Sequence, residues 1–271
     1  MADVYMERII EAGKVREKIL YRVHANTQPR RGRRKGATLA RKQDANERSC
    51  VKRFARILNA NYAHGDLMLG LTFSDMEIRK LIDKVGTDIN AIYEAVEHEA
   101  ELGLRRFKRA LGEKGKDLRA VIVVSDMDGD TGEMVRPHIH MIVPAEGFSM
   151  RDGVLMIEEK SVEKVWKKGI VNYQPLRDQD DYTPLAEYLM RQVRRRPDAK
   201  KYKTTRNMRK PRLVSERLVY RNAPIKAPKG AKVLHISEYV PGEAQYVRYI
   251  PAKPKTNRKR GGLPDGQDEN L

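Results

Sequence analysis

The sequence predicts an α+β protein: a central antiparallel sheet flanked by helices, with a basic helical N-terminal arm and a disordered C-terminal tail. Three observations lead there. A short apolar run bounded by turn residues at 67–73 and a β-branched one at 118–124 alternate with long apolar stripes of helical period. The runs at 118–124 and 135–143 are separated only by a short Asp- and Gly-rich connection, which makes them antiparallel neighbours. A basic stretch at 28–42 precedes this region, and a Lys-, Arg-, Gly- and Asp-rich tail follows Pro251.

Each element can be justified in order. Within residues 3–23, Val4, Ile9, Ile10, Ala12, Val15, Ile19 and Leu20 recur at roughly helical spacing, so an amphipathic helix is expected. Residues 28–42 follow as a basic run holding Arg30, Arg31, Arg33, Arg34, Lys35, Arg41 and Lys42, either a solvated arm or a set of phosphate contacts. A helix over about 46–62 sets Val51, Phe54, Ala55 and Leu58 on one face. Together these make a basic helical extension over 1–62.

The core is expected over 63–212. Its first strand, 67–73, lies between Gly65-Asp66 and Ser74-Asp75. Ser74 or Asp75 caps a helix starting near Met76, and Thr87 or Asp88 opens a longer one that Gly112 closes. Strand 118–124, a turn over 126–130 and strand 135–143 come next. A short helix over 161–168, ended by Gly169, precedes a strand at 170–173. Thr183-Pro184 reads as N-cap and first position of a helix that must stop before Pro197. Residues 213–271 form a C-terminal extension with strand-like pieces at 232–236 and 245–250. Beyond Pro251 the Lys-, Arg-, Gly- and Asp-rich tail is expected to be disordered.

Composition narrows the partner. Lys plus Arg outnumber Asp plus Glu by 55 to 37, a net charge of +18, which calls for a polyanion such as nucleic acid. The basic residues are not set opposite an apolar face, so a membrane surface is disfavoured. The single cysteine, Cys50, excludes an intramolecular disulfide framework and a cysteine-rich zinc site. No bilayer-length apolar run and no signal peptide are visible, so a cytoplasmic setting is expected.

Two groups of residues carry possible chemistry. In Arg136-Pro137-His138-Ile139-His140 the two imidazoles alternate with Ile139, so on a strand both project to one side and can converge on a divalent ion. Such a pair is also compatible with a solvated strand face. An oxygen ligand is sought among Asp126, Asp128, Asp130 and Glu133 just upstream. Asp126 is the choice, because an adjacent antiparallel strand would carry it beside the histidines, although Asp and Gly are also what tight turns use. In the helix from Thr183, Tyr188 and Arg191 are three residues apart and share a face. A tyrosine hydroxyl becomes a nucleophile when deprotonated or held in a positive field, which Arg191 supplies. A tyrosine on an amphipathic helix can equally be packing. Tyr182 is the local competitor, less rigidly aimed.

The ordered set resembles the rolling-circle replication initiators of filamentous-phage, plasmid and small single-stranded-DNA-virus type, within the HUH endonuclease superfamily. Leu69-Gly70-Leu71-Thr72-Phe73 is similar to the first motif strand, Arg136-Pro137-His138-Ile139-His140 to the metal-binding motif, and Tyr188-Leu189-Met190-Arg191 to the tyrosine motif. Smaller echoes are Ile57-Leu58-Asn59-Ala60-Asn61-Tyr62, Trp166-Lys167-Lys168-Gly169 and the stretch 202–211. The likeness spans roughly 56–211. Arg191 stands where Lys is more usual, Gln192 and Val193 stand where some relatives carry a second tyrosine, and Asp126 is the nearest match to a ligand that is commonly Glu.

The resemblance implies an HUH-like core and a metal-dependent single-strand DNA endonuclease. Its implied metal is Mg²⁺ or Mn²⁺ on His138, His140 and Asp126, and its implied nucleophile is Tyr188, assisted by Arg191. It implies nicking and rejoining at a replication origin hairpin through a 5′-phosphotyrosine link, with a host helicase and polymerase as partners, in a bacterial cytoplasm if the replicon is phage or plasmid. No G-x-x-x-x-G-K-[ST] stretch occurs, so unwinding is assigned to the partner. Three other readings stay open: another HUH enzyme (relaxase or transposase), a non-catalytic nucleic-acid binder, and a phosphodiesterase that uses water.

Overall fold

The computed structural model describes residues 4–23, 40–194, 196, 200–220 and 223–252, with the backbone alone at 40–43. The chain opens with two strands, β1 (Val4–Ala12) and β2 (Val15–Val23), followed by helix α1 (Ala40–Asn61). Next come β3 (Leu67–Leu71), α2 (Asp75–Val85), α3 (Ile89–Ala110), the single turn α4 (Lys114–Asp117), β4 (Val121–Met127) and β5 (Met134–Val143). A small meander, β6 (Phe148–Arg151), β7 (Val154–Ile157) and β8 (Lys160–Ser161), leads to α5 (Val162–Trp166) and β9 (Val171–Pro175). The chain then forms α6 (Thr183–Arg191), β10 (Lys203–Thr204), β11 (Arg212–Val219), β12 (Lys232–Ile236) and β13 (Gln245–Ile250).

The protein is α+β, and the paired strands are antiparallel throughout. The central sheet has the order β10-β4-β5-β3-β9, so β5 sits in the middle between β4 and β3. Alternation on these strands divides the core in two. Leu69 and Leu71, Ile122 and Val124, and Ile139, Met141 and Val143 face one side, where Tyr93, Val96, Ala100, Phe107 and Trp166 from α3 and α5 cover them. Val121, Val123 and Ile142 face the other side, under Phe54, Ala55 and Leu58 of α1 and Ala186, Leu189 and Met190 of α6. The helix starts are capped by short polar side chains that take up otherwise unpaired N–H groups: Ser74 for α2, Asp88 for α3 and Ser161 for α5.

The expected helix over 3–23 is replaced by a β-hairpin. Gly13 turns the chain with φ 60°, and a side chain there would also strike the Asn59 carbonyl of α1, so only glycine fits. Charges that a helix would pair along one chain are paired here across strands and to α1. Lys18 and Arg217 hold Glu7 (2.9 and 2.7 Å), Arg16 and Arg212 hold Glu11 (2.6 and 2.8 Å), and Arg56 of α1 holds Glu17 (2.6 Å). The hairpin joins strands from the other end of the chain in an outer sheet of order β11-β1-β2-β13-β12. The two segments read from the sequence as separate extensions therefore share one sheet. Of the predicted C-terminal strands, 232–236 and 245–250 are present, and β11 adds one that sequence pattern did not reveal. The tail beyond 252, and residues 28–39 of the basic run, lie outside the described residues.

Candidate metal and nucleophile site

His138 and His140 lie on β5 in the same row as Ile142, on the face that α1 and α6 cover only in part. Their neighbours across the sheet are small: Ser125 opposes His138, while Val123 and Gly70 flank His140. Gly70 in turn pairs with Asn172 on β9. The sheet surface is therefore low at Gly70 and polar at Ser125, with apolar Val123 opposite His140. The two rings meet edge to face, with their Nε2 atoms 3.2 Å apart. The Gln192 amide oxygen lies 2.9 Å from the His140 Nε2.

Proton bookkeeping makes this cluster informative. If the His140 Nε2 donates to Gln192, it has no lone pair for His138; if it accepts from His138, it cannot donate to Gln192. A cation drawn into the middle would satisfy all three atoms at once. Burial, reinforced by the neighbouring His138, pushes the His140 imidazole down to about 4 against a weaker upward pull from Gln192, so it stays neutral near pH 7 and keeps a lone pair to give. Two imidazole nitrogens and an amide oxygen suit Mn²⁺ or Mg²⁺ poorly as a closed cage but well as an open, partly hydrated site. The residues fit a divalent ion on those terms.

Asp126 is not part of this cluster. Strand β4 runs on to Met127, inside the expected turn, and alternation decides the outcome: Ser125 shares the side of His138, whereas Asp126 follows Ile122 and Val124 onto the opposite face. One oxygen accepts from the Arg194 backbone N–H at 3.1 Å, and the other lies 3.1 Å from the Arg194 guanidinium. The backbone N–H groups of Asp126 and Met127 both donate to the Gln192 carbonyl, each at 3.1 Å. Asp126 thus fastens the segment that presents Gln192. Asp128 is a turn residue, accepting from the Asp130 and Thr131 N–H groups at 2.8 Å. Among the described residues, no three His, Cys, Asp or Glu side chains gather as a metal-binding group.

Sequence reasoning missed Gln192 as an oxygen donor. The available signal was its spacing, four residues after Tyr188 and hence on the same side of the helix. The helix itself is fixed by its first turn, where the Asp181 carboxylate accepts from the Thr183 N–H at 2.6 Å and Pro184 fits without needing a donor. Tyr182, rather than Thr183, is the N-cap, and its N–H donates to Asn59 of α1 at 2.8 Å. Ala186, Leu189 and Met190 turn inward, while Glu187, Tyr188 and Arg191 stay exposed.

Tyr188 and Tyr182 differ in consequence. Tyr188 is exposed on the turn before Gln192. Tyr182 is packed in the core between α1 and α6, and burial together with Asp66 and Asp178 pushes its hydroxyl above the ordinary phenol range. Of the two, Tyr188 is the one placed to reach a ligand from solvent. Arg191, three residues on, has no carboxylate partner among the described residues. Compared with protein-family models, with curated proteins and with solved structures, the chain matches none.

Proposed function

We propose that this chain is an HUH-type single-strand DNA endonuclease that nicks and rejoins an origin and so initiates rolling-circle replication. The observation that carries the reading is the convergence of the His138 and His140 Nε2 atoms and the Gln192 oxygen, with an exposed tyrosine one helical turn before Gln192. The order of the three motifs along the chain supports the replication assignment, and the charge of +18 supports the polyanionic substrate.

In this reading His138, His140 and Gln192 hold the ion, with Gln192 in the role first given to Asp126. A bound Mg²⁺ or Mn²⁺ supplies Lewis-acid polarisation of the scissile phosphate. The Tyr188 oxygen attacks phosphorus after giving up its proton to solvent. The new bond is phosphorus to tyrosine oxygen and the broken bond is phosphorus to the 3′ oxygen, which takes up a proton and leaves as a 3′-hydroxyl. The 5′-phosphotyrosine conserves the ester, so a 3′-hydroxyl can later reverse the step and rejoin the strand. Arg191 stabilises the phenolate and the phosphate charge. The free 3′ end would serve a host polymerase, with a host helicase opening the duplex.

The test is incubation with labelled single-stranded oligonucleotides and Mn²⁺, resolved on a denaturing protein gel beside Tyr188→Phe. A metal-dependent adduct that disappears in the variant is expected. Cleavage without any adduct would replace the tyrosine by water, and binding without cleavage across a broad set of oligonucleotides would leave a non-catalytic binder.

A further inference from the structure

Three cavities adjoin one another along α1. The first, about 710 Å³, opens between α1 and the Pro184, Glu187 and Arg191 side of α6. Cys50 and Lys201 belong both to its wall and to that of a second cavity of about 850 Å³. Arg53, Ile57 and Tyr202 are shared in turn with a third of about 560 Å³, which ends at Arg8, Arg56 and Lys210 beside the outer sheet. Cavities that share walls in this way form one trench, a shape suited to a linear ligand rather than a compact one.

The charge of the trench is also directional. Arg191, Arg53, Arg105, Lys108, Lys200 and Lys210 line it without a carboxylate partner among the described residues. The acids that enter it are mostly occupied: Glu47 by Lys201, Glu101 by Lys203 and Glu216 by Arg8, which leaves Glu187 as the exception. Unpaired cations spaced along a furrow are what a phosphodiester backbone requires.

Helix geometry joins the trench to the reaction site. At about 100° per residue, Tyr188 falls about 40° from Gln192 on one side and about 40° from Pro184 on the other. Gln192 faces the histidines and Pro184 lines the trench. The tyrosine stands between the two.

We infer that a single DNA strand passes from the histidine pair, over Tyr188, into this trench, and runs beneath α1 toward the outer sheet. The inference rests on the nuclease reading for its direction, but its binding component can be measured without cleavage. Oligo(dT) serves as a probe of arbitrary sequence. Reversal of three trench cations together, Arg53→Glu, Arg105→Glu and Lys108→Glu, should weaken binding of long oligo(dT) by at least about tenfold at low salt and flatten the salt dependence by about two in log–log slope. Circular dichroism and thermal melting of the variant establish that it is folded.

The unaltered protein supplies a second measurement, because Cys50 lies on the trench wall and is the single cysteine. Saturating oligo(dT) should slow its alkylation by iodoacetamide several-fold. Unchanged affinity in a folded triple variant, or unchanged alkylation of Cys50, overturns the trench even if the Tyr188 adduct forms. Protection of Cys50 in a protein that neither forms an adduct nor cleaves upholds the trench and removes the nuclease.

Discussion

The two faces of the central sheet are built from the same strands and do opposite things. On the face under α2, α3 and α5, apolar side chains alternate inward without interruption, and Trp166 is fully buried with its indole N–H donating to the Thr72 carbonyl at 2.8 Å. On the face under α1 and α6, the apolar rows give way along β5 to His140 and then His138, with Gly70 and Ser125 beside them. Shifting one residue along a strand moves between the faces. The alternation that makes Ile139 core makes His138 and His140 available, so packing and chemistry are separated by strand geometry alone.

If the covered face supplies stability, damage there should be the largest. Trp166→Ala should cost about 3–5 kcal/mol in urea unfolding. Gly103→Ala should cost about 1–3 kcal/mol, because its new carbon would sit 2.6 Å from the Trp166 ring. Neither residue is near the histidines, so any protein that folds should retain metal binding.

The open face should reveal itself through pH. The folded His140 titrates near 4, below the ordinary 6.5, so the unfolded chain binds the proton first as pH falls. Its contribution is therefore complete above the ordinary histidine range and is lost as pH falls toward 4, by ~3 kcal/mol at most. In metal-free buffer, His140→Gln should show a smaller loss of unfolding free energy between pH 7 and pH 4 than the unaltered chain. Equal losses would mean that the imidazole is not held neutral by its surroundings.

A smaller loss is expected at Asp126. Asp126→Ala removes the acceptor for the Arg194 backbone N–H and strands a half-buried guanidinium. The expected cost is roughly 2 kcal/mol. If Asp126 acts by fastening the Gln192 segment, Asp126→Asn should recover most of the stability and keep metal affinity within a few-fold of normal. A complete loss of Mn²⁺ binding in Asp126→Asn, measured by calorimetry, would return Asp126 to the ligand set.

Much of this division can be read from residues in sequence, and the exceptions have physical causes. The strands expected at 67–73 and 135–143, the caps Ser74 and Asp88 as one of each pair offered (Ser74 or Asp75, Thr87 or Asp88), and the shared side of His138 and His140 all follow from local chemistry within a few residues. The hairpin at 4–23 was obscured because both of its faces are partly covered, so its apolar residues do not alternate cleanly and imitate a helical stripe. Its pairing with β11 and β13 depends on contacts some two hundred residues away, which no local pattern encodes. Asp126 was expected beside the histidines because it ends the neighbouring strand, but alternation gives that side to Ser125 and turns Asp126 to the other face. Gln192 was overlooked because an amide at a helix end carries no charge signal, and its value comes only from docking α6 over the sheet.

The smallest structural change makes the sharpest comparison of the faces. Gly70 pairs with His140 on one side and Asn172 on the other, and a side-chain carbon built on it would have its nearest neighbours at 3.7 and 3.8 Å, ordinary contact distances. Unlike Gly103, it has room. Alanine also loses less backbone freedom on folding than glycine, so Gly70→Ala should leave stability unchanged or raise it by up to about 1 kcal/mol. The same methyl would raise the sheet floor beside the ligand cluster, where a phosphate must approach His140. A stable protein with slower adduct formation is therefore expected, and the effect should grow with Gly70→Val. If both variants react at the normal rate, the strand does not cross the sheet at this point, and the substrate must reach the histidines from the α6 side instead.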